Sequence, residues 1–256
     1  MKKTKLLLVL VIIAAGIGGF VFWKGHSSKA VIVSSSTKTT KASQTTPAPV
    51  SGFNKNQYPL DDPASIWVVV NKQRALNPVN YTPANLTVPK VPLRVPGNES
   101  MQVAQPTATA LETMFAAAKA DGINLMVSSG YRSYTYQVGL YNGYVKSQGQ
   151  ATADTQSARP GHSEHQTGWA ADLEPVSRKC ELQQCFADTP EGKWLAANDY
   201  KYGFVIRYTP DKTPITGYMP EPWHVRYVGI DLATEMHKQG ITTLEEFFGL
   251  PAAPTY

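Results

Sequence analysis

Cysteine is nearly absent, with two in 256 residues, Cys180 and Cys185. Zinc fingers need more ligands than these two, so the pair by itself makes no structural zinc site. The spacing of the pair suits a local disulfide if the domain stands outside the cytoplasm. Acidic residues are missing from the first 50 positions, which carry seven lysines. Without those seven, the 24 basic side chains become 17, against 19 acidic ones. The formal charge of +5 therefore belongs to the N-terminal segment, and the remainder is near neutral, which argues against nucleic acid as a partner. No internal repeat is present, and helices and strands do not alternate in a βαβ rhythm. Solenoids and doubly wound sheets are thereby set aside.

Leu6–Trp23 is free of charge, and Lys2, Lys3, Lys5 and Lys24 flank it. The run reads as a signal sequence or, since no clear cleavage site follows, an uncleaved membrane anchor over residues 1–24. The leading lysines would stay in the cytoplasm and leave the rest outside. Residues 25–57 are rich in Ser, Thr, Lys, Ala and Pro and bury too little apolar surface to fold, so they read as a spacer. The folded domain is expected over 58–256 as a monomer.

Five prolines between Asn77 and Gly97 exclude helix and central strand there and predict an extended arm. A helix is expected from about Pro106–Ala110 to Asp121, with Leu111, Met114, Phe115 and Ala118 on one face and Thr109 and Glu112 as a capping box. Strand Ile123–Ser128, helix Tyr134–Gln148, a helix from Pro190 to about Asn198, strands Phe204–Tyr208 and His224–Val228, and helices Asp231–Gln239 and Thr243–Phe248 follow. The class is α+β with a small antiparallel sheet.

The densest chemistry lies in Ala158–Leu173, with a second cluster at Glu221–His224. With strand periodicity, Gly168, Ala170 and Asp172 share a face, and two tiny side chains beside a carboxylate leave room for a metal. Pro222 argues against a metalloprotease helix through Glu221 and His224, placing Glu221 on a loop and His224 at a strand entry. Glu221 then stands near a metal ligand as a free carboxylate able to take a proton. Two histidines and an aspartate with a position left for water make a catalytic zinc site, although the same set also fits non-haem Fe(II). Taken singly these signals are weak; His26 and His237 read as ordinary surface or core residues, and the role of His162 stays open.

In combination they are specific. Ser163-x-His165-x-x-Gly168-x-Ala170-x-Asp172 resembles the signature of the VanY-like zinc D-alanyl-D-alanine carboxypeptidases, whose fold is shared with the hedgehog signalling domain. Glu221-x-Trp223-His224 matches the family's second motif, and Ser129–Ser133 with Gln137 looks like its substrate-side motif. The resemblance runs from about Val68 to Gly249. It implies a small antiparallel sheet flanked by helices and Zn2+ held by His165, Asp172 and His224. It further implies Glu221 as general base, Arg132 as a catalytic group on the scissile carbonyl, and Gln137 and Ser163 holding the peptide end. The implied reaction removes a terminal D-alanine, D,D- or L,D-linked, from peptidoglycan stem peptides. A wall-peptide-binding module and an endopeptidase on the same fold are the alternatives.

Overall fold

The structure, a computed structural model, describes residues 52–256. The expected membrane span, most of the spacer and His26 lie outside them. No helix among the described residues is long and apolar enough to cross a membrane.

The proline-rich arm runs irregularly and contributes β1 (Leu86–Thr87), which pairs with β2 (Val103–Ala104). Then come α1 (Gln105–Ala120), β3 (Leu125–Ser129), α2 (Tyr134–Gln148), α3 (Gln150–Gln156) and β4 (Ala170–Pro175). The second half adds α4 (Pro190–Asn198), β5 (Phe204–Tyr208), the single turn α5 (Thr213–Thr216), β6 (Glu221–Tyr227), α6 (Ile230–Gln239) and α7 (Leu244–Phe248). The main sheet is antiparallel throughout, in the order β3-β4-β6-β5. The fold is α+β, as the pattern of elements requires.

Alternation sorts the sheet into two faces. Val127, Ala171, Leu173 and Val225 point to the core, where Leu111, Met114, Phe115 and Ala118 of α1 meet them. Asp172 and His224 alternate with those residues and face the other way, where the site lies. A second apolar cluster joins Trp67 to Leu232 and Met236 of α6 and Leu244 and Phe247 of α7. Phe53 packs against this cluster, with its ring 5.5 Å from Trp67 and 5.6 Å from Phe247. The folded part therefore takes in residues that composition assigns to the spacer.

Several local expectations are corrected. The capping box at the start of α1 does not form: Pro106 lies in the first turn, Thr109 donates back to Gln105 O, and Glu112 instead accepts from Lys90 N at 2.8 Å. Glu221 is not on a loop but opens β6, paired with Tyr208. Pro222 is tolerated because the β5–β6 register is irregular there. Gly168 is a left-handed helix cap, φ 74°, rather than part of a strand face. A Cβ on it would meet Ala104 N at 2.9 Å, so its smallness serves close packing against β2 and not a metal. Ala170 opens β4, paired with Arg226 and on the same face of the strand as Asp172.

Candidate active site

Sheet register builds the site. Asp172 on β4 is paired with Ser129 on one side and with His224 of β6 on the other. Directly opposed residues carry their side chains about 5 Å apart, so a single row across three strands places Asp172 beside His224. His165 arrives from a short 3-10 turn, Glu164–Thr167, that precedes β4. The site lines a cavity of about 700 Å3 together with Arg132, Ser163, Tyr208, Tyr218 and Trp223.

His165, Asp172 and His224 are each buried, and one ligand atom from each lies within 4.8 Å of the others. His165 Nε2 is 3.3 Å and His224 Nδ1 is 3.4 Å from Asp172 Oδ1. That oxygen is buried and has no hydrogen-bond partner, which a carboxylate tolerates poorly without a cation. The second nitrogens are both occupied. His165 Nδ1 lies 2.6 Å from Gly130 O, a pure acceptor, so Nδ1 carries the proton and Nε2 presents its lone pair. His224 Nε2 lies 3.1 Å from Glu164 Oε2. Two imidazoles and a carboxylate, aimed at one point with their far sides fixed, fit a zinc ion.

Glu221 carries a carboxyl oxygen 3.7 Å from His224 Nδ1. Burial pushes its carboxyl up to about 7, with the charge of His224 opposing and that of Asp172 assisting. Burial likewise lowers His165 to about 4, with the Arg132 guanidinium adding to the effect. His224 behaves oppositely: burial disfavours its charge, but the carboxylates of Asp172 and Glu164 on its two sides prevail and, with no cation between them, raise it to about 9. Arg132 donates to Asp172 Oδ2 through Nη2 and to Ser129 Oγ through Nε at 3.0 Å, which fixes the guanidinium at the cavity wall.

Ser163 is buried in the same wall. Gln137 is buried and does not line the cavity; its amide nitrogen donates to two residues that do, Ser157 Oγ at 3.1 Å and Ala158 O at 2.8 Å, while its Oε1 is buried without a partner. His162 is held away from the ligands, with Nδ1 2.8 Å from Asn71 O and its ring against Tyr256. His237 stacks on Tyr200. Cys180 and Cys185 are bonded to each other, and the loop they close lends Leu182, Gln183 and Gln184 to the cavity rim. Sequence reasoning passes over Glu164, Arg207 and Arg226. Glu164 occupies an unspecified position of the first motif, and nothing local marks two strand arginines as buried.

The pattern of the VanY family, D-alanyl-D-alanine carboxypeptidase, matches residues 100–230. The chain belongs to that family. Among its relatives is the putative carboxypeptidase YodJ of Bacillus subtilis, 44% identical over 192 residues, which cover 74% of this chain and 69% of that one. Among solved structures, the LdcB LD-carboxypeptidase superposes with a TM-score of 0.69 at 44% identity, covering 73% of this chain and 87% of that one. A vancomycin-resistance D,D-pentapeptidase VanY in complex with Zn(II) gives a TM-score of 0.58 at 34% identity, covering 72% of this chain and 98% of that one. Family membership makes the chain a metallocarboxypeptidase. The zinc of the family structure and the ligand trio here agree on the cofactor.

Proposed function

We propose that the chain removes the terminal D-alanine of peptidoglycan stem peptides, with zinc held by His165, Asp172 and His224, outside the cell membrane. The supporting observation is one juxtaposition: three buried, converging ligand atoms with the Glu221 carboxyl beside them and the Arg132 guanidinium on Asp172. When bound, zinc supplies a Lewis acid and brings the pKa of water toward about 7. Glu221 takes a proton from the attacking water as its oxygen bonds to the amide carbon. It then delivers that proton to the amine nitrogen as the peptide C–N bond breaks. A carboxyl held up to about 7 suits both transfers near neutral pH.

Arg132 is oriented by Ser129 and Asp172, and its Nη1 makes no hydrogen bond among the described residues. It offers that donor to the scissile carbonyl oxygen as negative charge develops there. Ser163, in the same wall, receives the carboxylate end of the peptide, and Gln137 braces the wall from behind. A binding-only module has no need of a base, whereas here Glu221 stands with the complete ligand set.

The membrane anchor, the spacer and the outward address rest on the charge-free run Leu6–Trp23 and its flanking lysines. The substrate class rests on the family and on relatives of both D,D- and L,D-type. The test is D-alanine release by the purified chain from a stem pentapeptide and from a stem tetrapeptide. Release from one of the two, stopped by chelator and restored by zinc, is expected. Release that chelator leaves untouched, or none from either peptide, overturns the reading. Which peptide is cut assigns D,D- or L,D-specificity.

A further inference from the structure

Three ionisable groups with no part in the proton transfers are buried behind the site. The side chains of Glu164, Arg207 and Arg226 are 0%, 1% and 0% exposed. Charges so placed are unfavourable unless each is paired. Glu164 Oε1 accepts from Arg207 Nε at 2.9 Å and from Arg226 Nη1 at 3.0 Å. Arg207 is gripped from behind by Glu245 of α7, at 2.9 and 2.7 Å, and Arg226 Nη2 donates to Ile66 O and Val68 O, each at 2.9 Å. Two acids and two bases balance. The carboxylate of Glu164 cannot swing, because both guanidinium groups hold one oxygen and the other is left facing His224 Nε2.

We infer that Glu164 is a positioning residue for the metal ligand His224, with Arg207 and Arg226 as its clamp. A carboxylate only accepts, so it requires the proton on His224 Nε2. That leaves the Nδ1 lone pair, which is the one turned toward Asp172 Oδ1, free for the metal. His165 is fixed with the opposite tautomer by Gly130 O, so the two histidines present different nitrogens to one point. The inference rests on the metallopeptidase reading of the site. The competing account is that the ion cluster only ties the sheet to α7, with the His224 contact incidental.

Glu164→Gln separates the two. Between two guanidinium groups the amide oxygen must take the clamped place, so the NH2 faces His224 Nε2 and selects the wrong tautomer. Glu245→Gln loosens the same cluster without touching His224. Zinc affinity of the full chain, read by competition with a chromophoric chelator, should fall roughly 10–100-fold in Glu164→Gln. In Glu245→Gln the melting temperature should fall while zinc affinity stays close to wild type. In the wild-type chain loaded with NMR-active cadmium, spin coupling should run to His224 Nδ1, with a slowly exchanging Nε2–H. The inference is overturned if Glu164→Gln folds and binds zinc as wild type does, if Glu245→Gln weakens zinc equally, or if cadmium couples to Nε2. Should Glu164→Gln fail to fold, the wild-type cadmium spectrum decides. A wild-type chain that takes up no zinc overturns the metallopeptidase reading itself, whereas equal zinc affinity in the two chains overturns the positioning alone.

Discussion

Asp172 divides its two oxygens between two tasks: Oδ2 holds Arg132, and Oδ1 faces both histidines with no other partner. Arg132 and the metal position are thus coupled through one carboxylate, and Glu221 stands outside that couple. Glu221→Gln should therefore retain zinc and lower kcat on the order of 100–10,000-fold with little change in KM. Metal content and steady-state rates check this together; loss of the zinc along with the rate would make Glu221 a ligand instead of a base. Arg132→Gln should cost about 100–1,000-fold in kcat if, as proposed, the guanidinium is the donor to the scissile carbonyl. Activity within a few-fold of wild type would remove Arg132 from the reaction. The three converging side chains and the carboxylate beside them are legible in the sequence because they crowd into two short runs of unusual composition. Glu164, Arg207 and Arg226 are not, because their burial is a property of three separated segments that only the sheet brings together.

The turn between α4 and β5 is held by a single carboxylate. Asp199 accepts from Tyr200 N at 2.7 Å and from Ile206 N at 3.0 Å, in a buried setting with no cation on it. Burial pushes its carboxyl up to about 7, and the two backbone donors offset this only in part. The native chain thus keeps a proton that the unfolded chain gives up above its ordinary pKa of about 4. Its contribution to stability is complete below about pH 4 and is lost as pH rises through about 7. Between about pH 5 and pH 8 the loss should be on the order of 2–3 kcal/mol. Denaturant midpoints across that range check it, with Asp199→Asn expected to flatten the slope; an unchanged slope would assign the dependence to other groups. At this scale the strong helices and strands are readable from periodicity. The helix α3 is not, since only Ala153 of Gln150–Gln156 is buried and no apolar pattern marks it. The capping box fails because Pro106, three positions earlier, already starts the helix.

Composition alone ends the spacer at 57, because a lone phenylalanine in a polar run has no periodicity to declare it. Packing decides otherwise. Phe53 lies between Trp67 and Phe247, and Lys55 Nζ sits 4.3 Å over the Phe247 ring while donating to Phe247 O. Both contacts reach α7, the element that also supplies Glu245 to Arg207. The first described residues therefore close the end of the molecule that backs the buried ion cluster. A chain starting at residue 58 should lose about 1–2 kcal/mol relative to one starting at residue 52, the worth of a partly buried aromatic side chain. For a domain of this size that is a fall in melting temperature of roughly 2–8 °C. Its kcat well below the transition should be retained, because no cavity-lining residue is removed. Thermal melts and rates on the two chains check both halves. Equal melting temperatures would return residues 52–57 to the spacer, and a lower kcat in the cold would mean that α7 governs the site through Glu245, Arg207 and Glu164 as well as stabilising the fold.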